Sequence, residues 1–145
     1  MKTWMLIILG LGVVSLSKAQ DLNQDQVPSV VLNAFQTKYP KATDVEWELK
    51  GELYEVEFDM DRKDYDAWID KSGTIKKQKE DFPKAQLPGA IVERIKNEFK
   101  DYQIDDVDRI EENGKTYFLI DLDGRPDDRE VLFSENGAIE NNRVD

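Results

Sequence analysis

The chain has 145 residues, with 20 basic against 31 acidic side chains and a formal net charge of −11. It contains no cysteine and no histidine, which excludes disulfide staples, thiol nucleophiles, imidazole bases and Cys/His zinc sites. So much negative charge also repels phosphate backbones and anionic lipid surfaces, so nucleic-acid and membrane-surface roles are disfavoured.

The chain opens with Lys2, the apolar run Trp4 to Val14, and then "SLSKAQ" with small residues at Ser17 and Ala19. This order predicts a secretory signal over residues 1–19, cleaved after Ala19. Its apolar stretch of 11 residues is well short of the roughly 20 that a spanning helix needs, so no membrane span is expected. A periplasmic or secreted location follows. Losing Lys2 and Lys18 with the leader lowers the net charge from −11 to −13. The remaining length suits one compact domain, or two half-sized units sharing a core.

Residues 20–26 read as a linker. Beyond them, "VPSVVLNAFQTKYPKA" at 27–42 lies over "LPGAIVERIKNEFKDY" at 87–102 with an offset of 60. Val31, Phe35 and Tyr39 match Ile91, Ile95 and Phe99, one apolar stripe of a helix in each copy. Pro28 and Pro88 suit a helix start, and Pro40 ends the first helix.

After each helix the period changes to two. "DVEWELKG", "LYEVEFDMD" and "YDAWID" predict strands with one buried and one wet face, and a fourth strand runs from Thr74 to about Lys79. The second copy repeats the order with "IDDVDRI", "TYFLIDL", "REVLF" and "AIENNRV", divided at Asn113–Gly114, Asp123–Gly124 and Asn136–Gly137. In "TYFLIDL" both faces carry apolar groups, so the pattern does not fix the register. "DKSGTIK" at 70–76 and "SENGAIE" at 134–140 are equivalent turns, with glycine present for backbone reasons. Ser134 has no base, so the serine is not read as a nucleophile.

A signal segment followed by two copies of helix-then-strands resembles the PepSY-like family of exported bacterial proteins, similar in fold to the β-lactamase inhibitor protein. The carriers are "VPSVVLNAFQTKYPKATDVEW", "YEVEFD" and "DKSGTI", then "LPGAIVERIKNEF", "YFLIDLDG" and "SENGAI". The resemblance implies an α+β fold: a tandem duplication of a helix packed on a four-stranded antiparallel sheet, with the sheets joined into one curved surface. The first unit would span 27–85 and the second 86–145. It implies no cofactor and a non-enzymatic module that binds an envelope or extracellular protein through the open sheet face. Inhibition of a peptidase or other enzyme by a hairpin tip is the alternative. The chain lacks the cysteines that staple the β-lactamase inhibitor protein.

Trp68 is the most informative single residue. It falls on the face opposite Tyr65, Ala67 and Ile69, beside Asp66 and Asp70, and Leu132 holds the equivalent place in the second copy. These four are the candidate partner-binding residues. Trp68 reads either as an aromatic anchor on the open face or as a filler of the joint between the units. The acidic stretches "DMDRKDYD" and "DLDGRPDD" offer Asp59, Asp61, Asp121 and Asp123 as oxygen ligands for Ca²⁺. Neither stretch has the twelve-residue calcium-loop pattern, so they are read as solvated hairpin tips.

Overall fold

The computed structural model describes residues 19–144. The predicted leader, apart from Ala19, lies outside the described residues. In chain order come β1 (Gln20–Leu22), α1 (Ser29–Lys38), β2 (Thr43–Lys50), β3 (Leu53–Met60), β4 (Lys63–Asp70) and β5 (Ile75–Asp81). The second copy supplies α2 (Gly89–Glu98), β6 (Gln103–Glu112), β7 (Lys115–Asp123), β8 (Arg129–Ser134) and β9 (Ile139–Val144). Among the described residues no helix is long and apolar enough to cross a membrane.

The strands form one nine-stranded sheet in the order β1 to β9, every neighbouring pair antiparallel. This corrects the expected fold, a tandem of a helix packed on a four-stranded antiparallel sheet with the two sheets joined: the chain is mostly a single nine-stranded sheet carrying two short helices. β5 continues into β6 through five consecutive pairs, from Lys77 opposite Glu112 to Asp81 opposite Asp108, so there is no break between the copies. The physical reason is edge satisfaction: β5 and β6 would otherwise each present a row of unpaired N–H and C=O groups. The ninth strand comes from the segment read as a linker, where Gln20, Asp21 and Leu22 pair with Leu49, Glu48 and Trp47 of β2. The sheet dominates, and the two helices are only 10 residues each.

Both helices cover the same face. Val31 and Phe35 of α1, with Tyr39 just past its end, pack with Trp47, Val56, Phe58, Tyr65, Ala67 and Ile69. Ile91 and Ile95 of α2, with Phe99 just past its end, pack with Val107, Phe118, Ile120, Leu122, Val131 and Phe133. The register links the two cores: Tyr65 faces Glu80, Glu80 faces Arg109 and Arg109 faces Phe118, all on the helix side. It also assigns β7, with Phe118, Ile120 and Leu122 inward and Tyr117 and Leu119 outward. The seam between the cores is polar, with Tyr39 Oη donating to Gln78 at 2.5 Å and Arg109 paired with Glu80 at 3.4 Å.

The two quoted turns are matched in backbone detail. Asp70 N donates to Thr74 O and Gly73 N to Asp70 O, each at 2.9 Å. Ser134 N donates to Ala138 O at 2.8 Å and Gly137 N to Ser134 O at 2.9 Å. Gly73 and Gly137 have φ of 84° and 87°, a region where side chains are strained. A Cβ at Gly73 would stand 3.0 Å from the carbonyl oxygen of Val30, and one at Gly137 would stand 2.9 Å from that of Ala90. Each turn is therefore seated against the first turn of its helix.

Candidate functional site

The face opposite the helices is open, and strand alternation sends every second residue to it. One row across the strands runs Glu46, Glu57, Asp66, Lys79, Ile110, Tyr117, Ser134. In the next row Asp59 faces Asp64, Asp81 faces Asp108, and Asp108 leads on through Leu119 and Leu132 to Asn141. The first row turns apolar at Ile110 on β6 and the second at Leu119 on β7, so acids predominate from β2 to β6 and apolar groups follow on β6 to β8.

The acids line a trough of about 420 Å³ that includes Asp44, Glu46, Glu57, Asp59, Asp64, Asp66, Asp81, Asp106 and Asp108, with Lys79 as its one lysine. Like charges directly opposite one another destabilise a sheet, and here Glu46 opposes Glu57, Glu57 opposes Asp66, and Asp81 opposes Asp108. The Lys79 ammonium relieves part of this, 2.7 Å from Asp66 and 3.9 Å from Asp108. Burial pushes Asp108 up to about 6 despite Lys79, with Asp106, Asp81 and Asp66 adding repulsion. Glu57 is raised by burial and then by Asp66 and Glu55. Asp81 is raised by burial and then by Asp64 and Asp106.

Trp68 lies half-buried on this open face, between Glu55 of β3 and Lys77 of β5. The Lys77 ammonium stands 4.6 Å from its ring centroid, a cation–π contact. Leu132 is also half-buried on the open face, beside Leu119. The two residues are not brought together. They sit on β4 and β8, four strand intervals apart, about 19 Å at the usual spacing. Asp66 is held by Lys79. Asp70 belongs to its turn: Oδ1 accepts from Ser72 N at 2.9 Å, Ser72 Oγ at 2.6 Å and Thr74 N at 3.0 Å. The Ser72 hydroxyl and then the Thr74 amide hold its carboxyl down at about 2.

The four calcium candidates do not form one group. Asp59 is in the trough, and Asp61 is in the β3–β4 turn, where it and Arg62 have φ of 53° and 65°. Asp121 lies on β7 opposite Asp106 and Glu130, and Asp123 is at the exposed end of that strand. Among the described residues, Glu55, Glu57 and Asp66 are the carboxylates close enough to share an ion, with ligand atoms within 4.8 Å. Two of the three are already neutralised: Lys50 contacts the buried Glu55 at 2.5 Å, and Lys79 holds Asp66.

Sequence reasoning missed Glu46, Glu57, Lys79, Asp81, Asp108, Ile110, Tyr117 and Leu119 as one surface. The alternation of each strand assigns some of them to the wet face, but only the pairing register stacks them into rows.

The comparisons with known proteins agree with this architecture. The family model described as "Putative beta-lactamase-inhibitor-like, PepSY-like" matches residues 13–77 and 52–141. A DUF2874 family protein from Bacteroides uniformis superposes with a TM-score of 0.73 at 20% identity, over 81% of this chain and 88% of that one. A BLIP-like protein from Bacteroides fragilis gives 0.68 at 21% identity, over 81% and 85%. A protein of Bacteroides eggerthii described among "putative periplasmic proteins" gives 0.74 at 20% identity, over 81% and 88%. No curated protein matches the chain.

Proposed function

The chain belongs to the PepSY-like, beta-lactamase-inhibitor-like family, and from that premise we propose that it is an exported, non-enzymatic module that binds a protein partner through the open face of its sheet. The observation that carries this reading is the run of opposed carboxylates on that face. Such pairs cost folding stability, and the core on the other face does not require them. A surface that keeps an unfavourable charge array is shaped by something outside the fold, and a partner that neutralises the array recovers that energy. Trp68 and the Leu119/Leu132 pair supply half-buried apolar area on the same face, the kind of side chain that anchors interfaces.

The periplasmic description of the Bacteroides eggerthii relative supports an extracytoplasmic workplace, as does the leader pattern at residues 1–19. Hairpin-tip insertion into an enzyme cleft is the competing mode, with Asp61 and Arg62 at the tip of the β3–β4 turn. Site-specific photo-crosslinking in the intact producing cell separates them. Crosslinkers replacing Trp68 or Leu132 should capture a partner, and one replacing Arg62 should not. Capture at Arg62 alone would replace the open-face reading by the tip reading.

A further inference from the structure

The open face has two adjoining halves of different chemistry, and together they specify a class of partner. The acidic half reaches from Glu46 on β2 to Asp108 on β6. The apolar half begins on the same strand with Ile110 and continues through Tyr117, Leu119 and Leu132. No helix covers this side among the described residues, yet Ile110 is only 6% exposed. Its cross-strand neighbours are Lys79 and Tyr117. The accessible apolar area beside it comes from the half-buried Tyr117, Leu119 and Leu132, and such area bordered by acids suits a ligand that carries both cationic and apolar side chains.

Lys79 supplies an internal stand-in for such a ligand. Its ammonium lies in the trough between carboxylates of two different strands, 2.7 Å from Asp66 on β4 and 3.9 Å from Asp108 on β6. The site therefore already accepts one ammonium between β4 and β6, the strands on either side of the one that carries it. Asp59, Asp64 and Asp81 line the same trough beside it, leaving it strongly anionic.

Resting on the reading of the open face as the binding surface, we propose that this face takes a cationic amphipathic peptide segment laid across the strands. Its basic residues would lie over the trough and its apolar residues over the half-buried Tyr117, Leu119 and Leu132. The dimensions set the pattern. From β2 to β6 is four strand intervals, about 19 Å, and from β6 to β8 is two more, about 10 Å. An extended chain covers these with about six residues and then about three. The recognised element is a basic block followed by a short apolar block, in either chain direction.

Three synthetic peptides test this against the mature protein by fluorescence anisotropy: lysines followed by leucines, the same residues strictly alternating, and lysines alone. The block peptide should bind at least about tenfold more tightly than the lysine-only peptide, and more tightly than the alternating one. Asp66→Asn with Asp81→Asn should weaken both the block and the lysine-only peptide. Leu119→Gln should bring the block peptide down to the lysine-only level. Equal affinities for the three peptides, or no binding by any, would overturn the proposal. The peptide comparison uses unaltered protein, so it decides the matter even if a variant does not fold. Partner capture at Trp68 or Leu132 without peptide binding would sink this inference alone, whereas absence of capture there removes the reading beneath it.

Discussion

Asp81 and Asp108 face each other across the β5–β6 pairing, where the first copy's last strand meets the second copy's first. Lys79 comes no nearer to Asp108 than 3.9 Å, and burial holds the Asp108 carboxyl up at about 6 against an ordinary 3.8. The folded state thus takes up a proton that the unfolded chain does not bind until lower pH. Stability should rise as pH falls through about 6 and level off below about 4. Asp108→Asn should flatten that rise and stabilise the protein at pH 7 by about 1–3 kcal/mol. Urea titrations at pH 5 and pH 7 measure both effects. An unchanged pH profile would show that Asp108 is an ordinary solvated carboxylate.

The glycines of the paired turns give a second expectation. Gly73→Ala and Gly137→Ala each combine a positive φ with a carbonyl contact at 3.0 or 2.9 Å, so each should cost about 2–3 kcal/mol. Gly51 also has positive φ but nothing within 4 Å of its would-be Cβ. Its alanine variant should lose only about 1 kcal/mol. Thermal melts of the three variants would show the ranking, and Gly51 as the most sensitive position would contradict the seating of helix on turn.

Phe35 makes ring contacts with Tyr39, Trp47 and Phe58 at centroid distances of 5.6, 5.2 and 5.1 Å. Phe35→Ala should therefore cost about 3–5 kcal/mol, the usual loss on truncating a core aromatic. Chemical denaturation provides the number, and a loss under about 1 kcal/mol would place the ring outside the core.

Calcium should have little effect. Lys50 and Lys79 already hold two of the three carboxylates that could share an ion, and a cation would have to displace an ammonium. Millimolar Ca²⁺ is expected to leave the melting temperature unchanged. A ligand at 100 times its dissociation constant would stabilise by about 2.7 kcal/mol, so a rise of several degrees, lost in Glu57→Gln, would reveal a site.

Trp68→Ala separates binding from folding. The ring is half-buried on the open face and stacks under Lys77, outside both hydrophobic cores. The variant should lose about 1 kcal/mol of stability or less, and about 2 kcal/mol or more of partner affinity. A severely destabilised variant with intact partner binding would make Trp68 a packing residue.

The stripes Val31/Phe35/Tyr39 and Ile91/Ile95/Phe99 were legible because helical spacing is a local signal. The turns at Gly73 and Gly137 were legible for the same reason. β1 was not, since three residues with one apolar side chain, Leu22, carry no detectable period. The β7 register was hidden because Leu119 and Tyr117 compete with Phe118 and Ile120 for the core. Trp68 and Leu132 are equivalent in sequence, but the strand order puts them four strands apart. The trough draws on β2 to β6, and no local pattern announces that Asp81 will stand against Asp108. Asp70 was recoverable: "DKSGT" places hydroxyl and amide donors two and four residues after an aspartate, the chemistry of a self-bonded turn.

Every strand in this sheet pairs only with the strands before and after it in the chain. Such nearest-neighbour topology keeps the sequence separation of contacts short, a condition that favours fast folding. Each hairpin can be added to the last without waiting for a distant partner, as in linear arrays of stacked repeats. A chain delivered from its N-terminus can therefore assemble in the order of delivery. The unpaired edge left at each stage is taken up by the next strand to arrive, so intermolecular strand pairing has only a brief opportunity at each step.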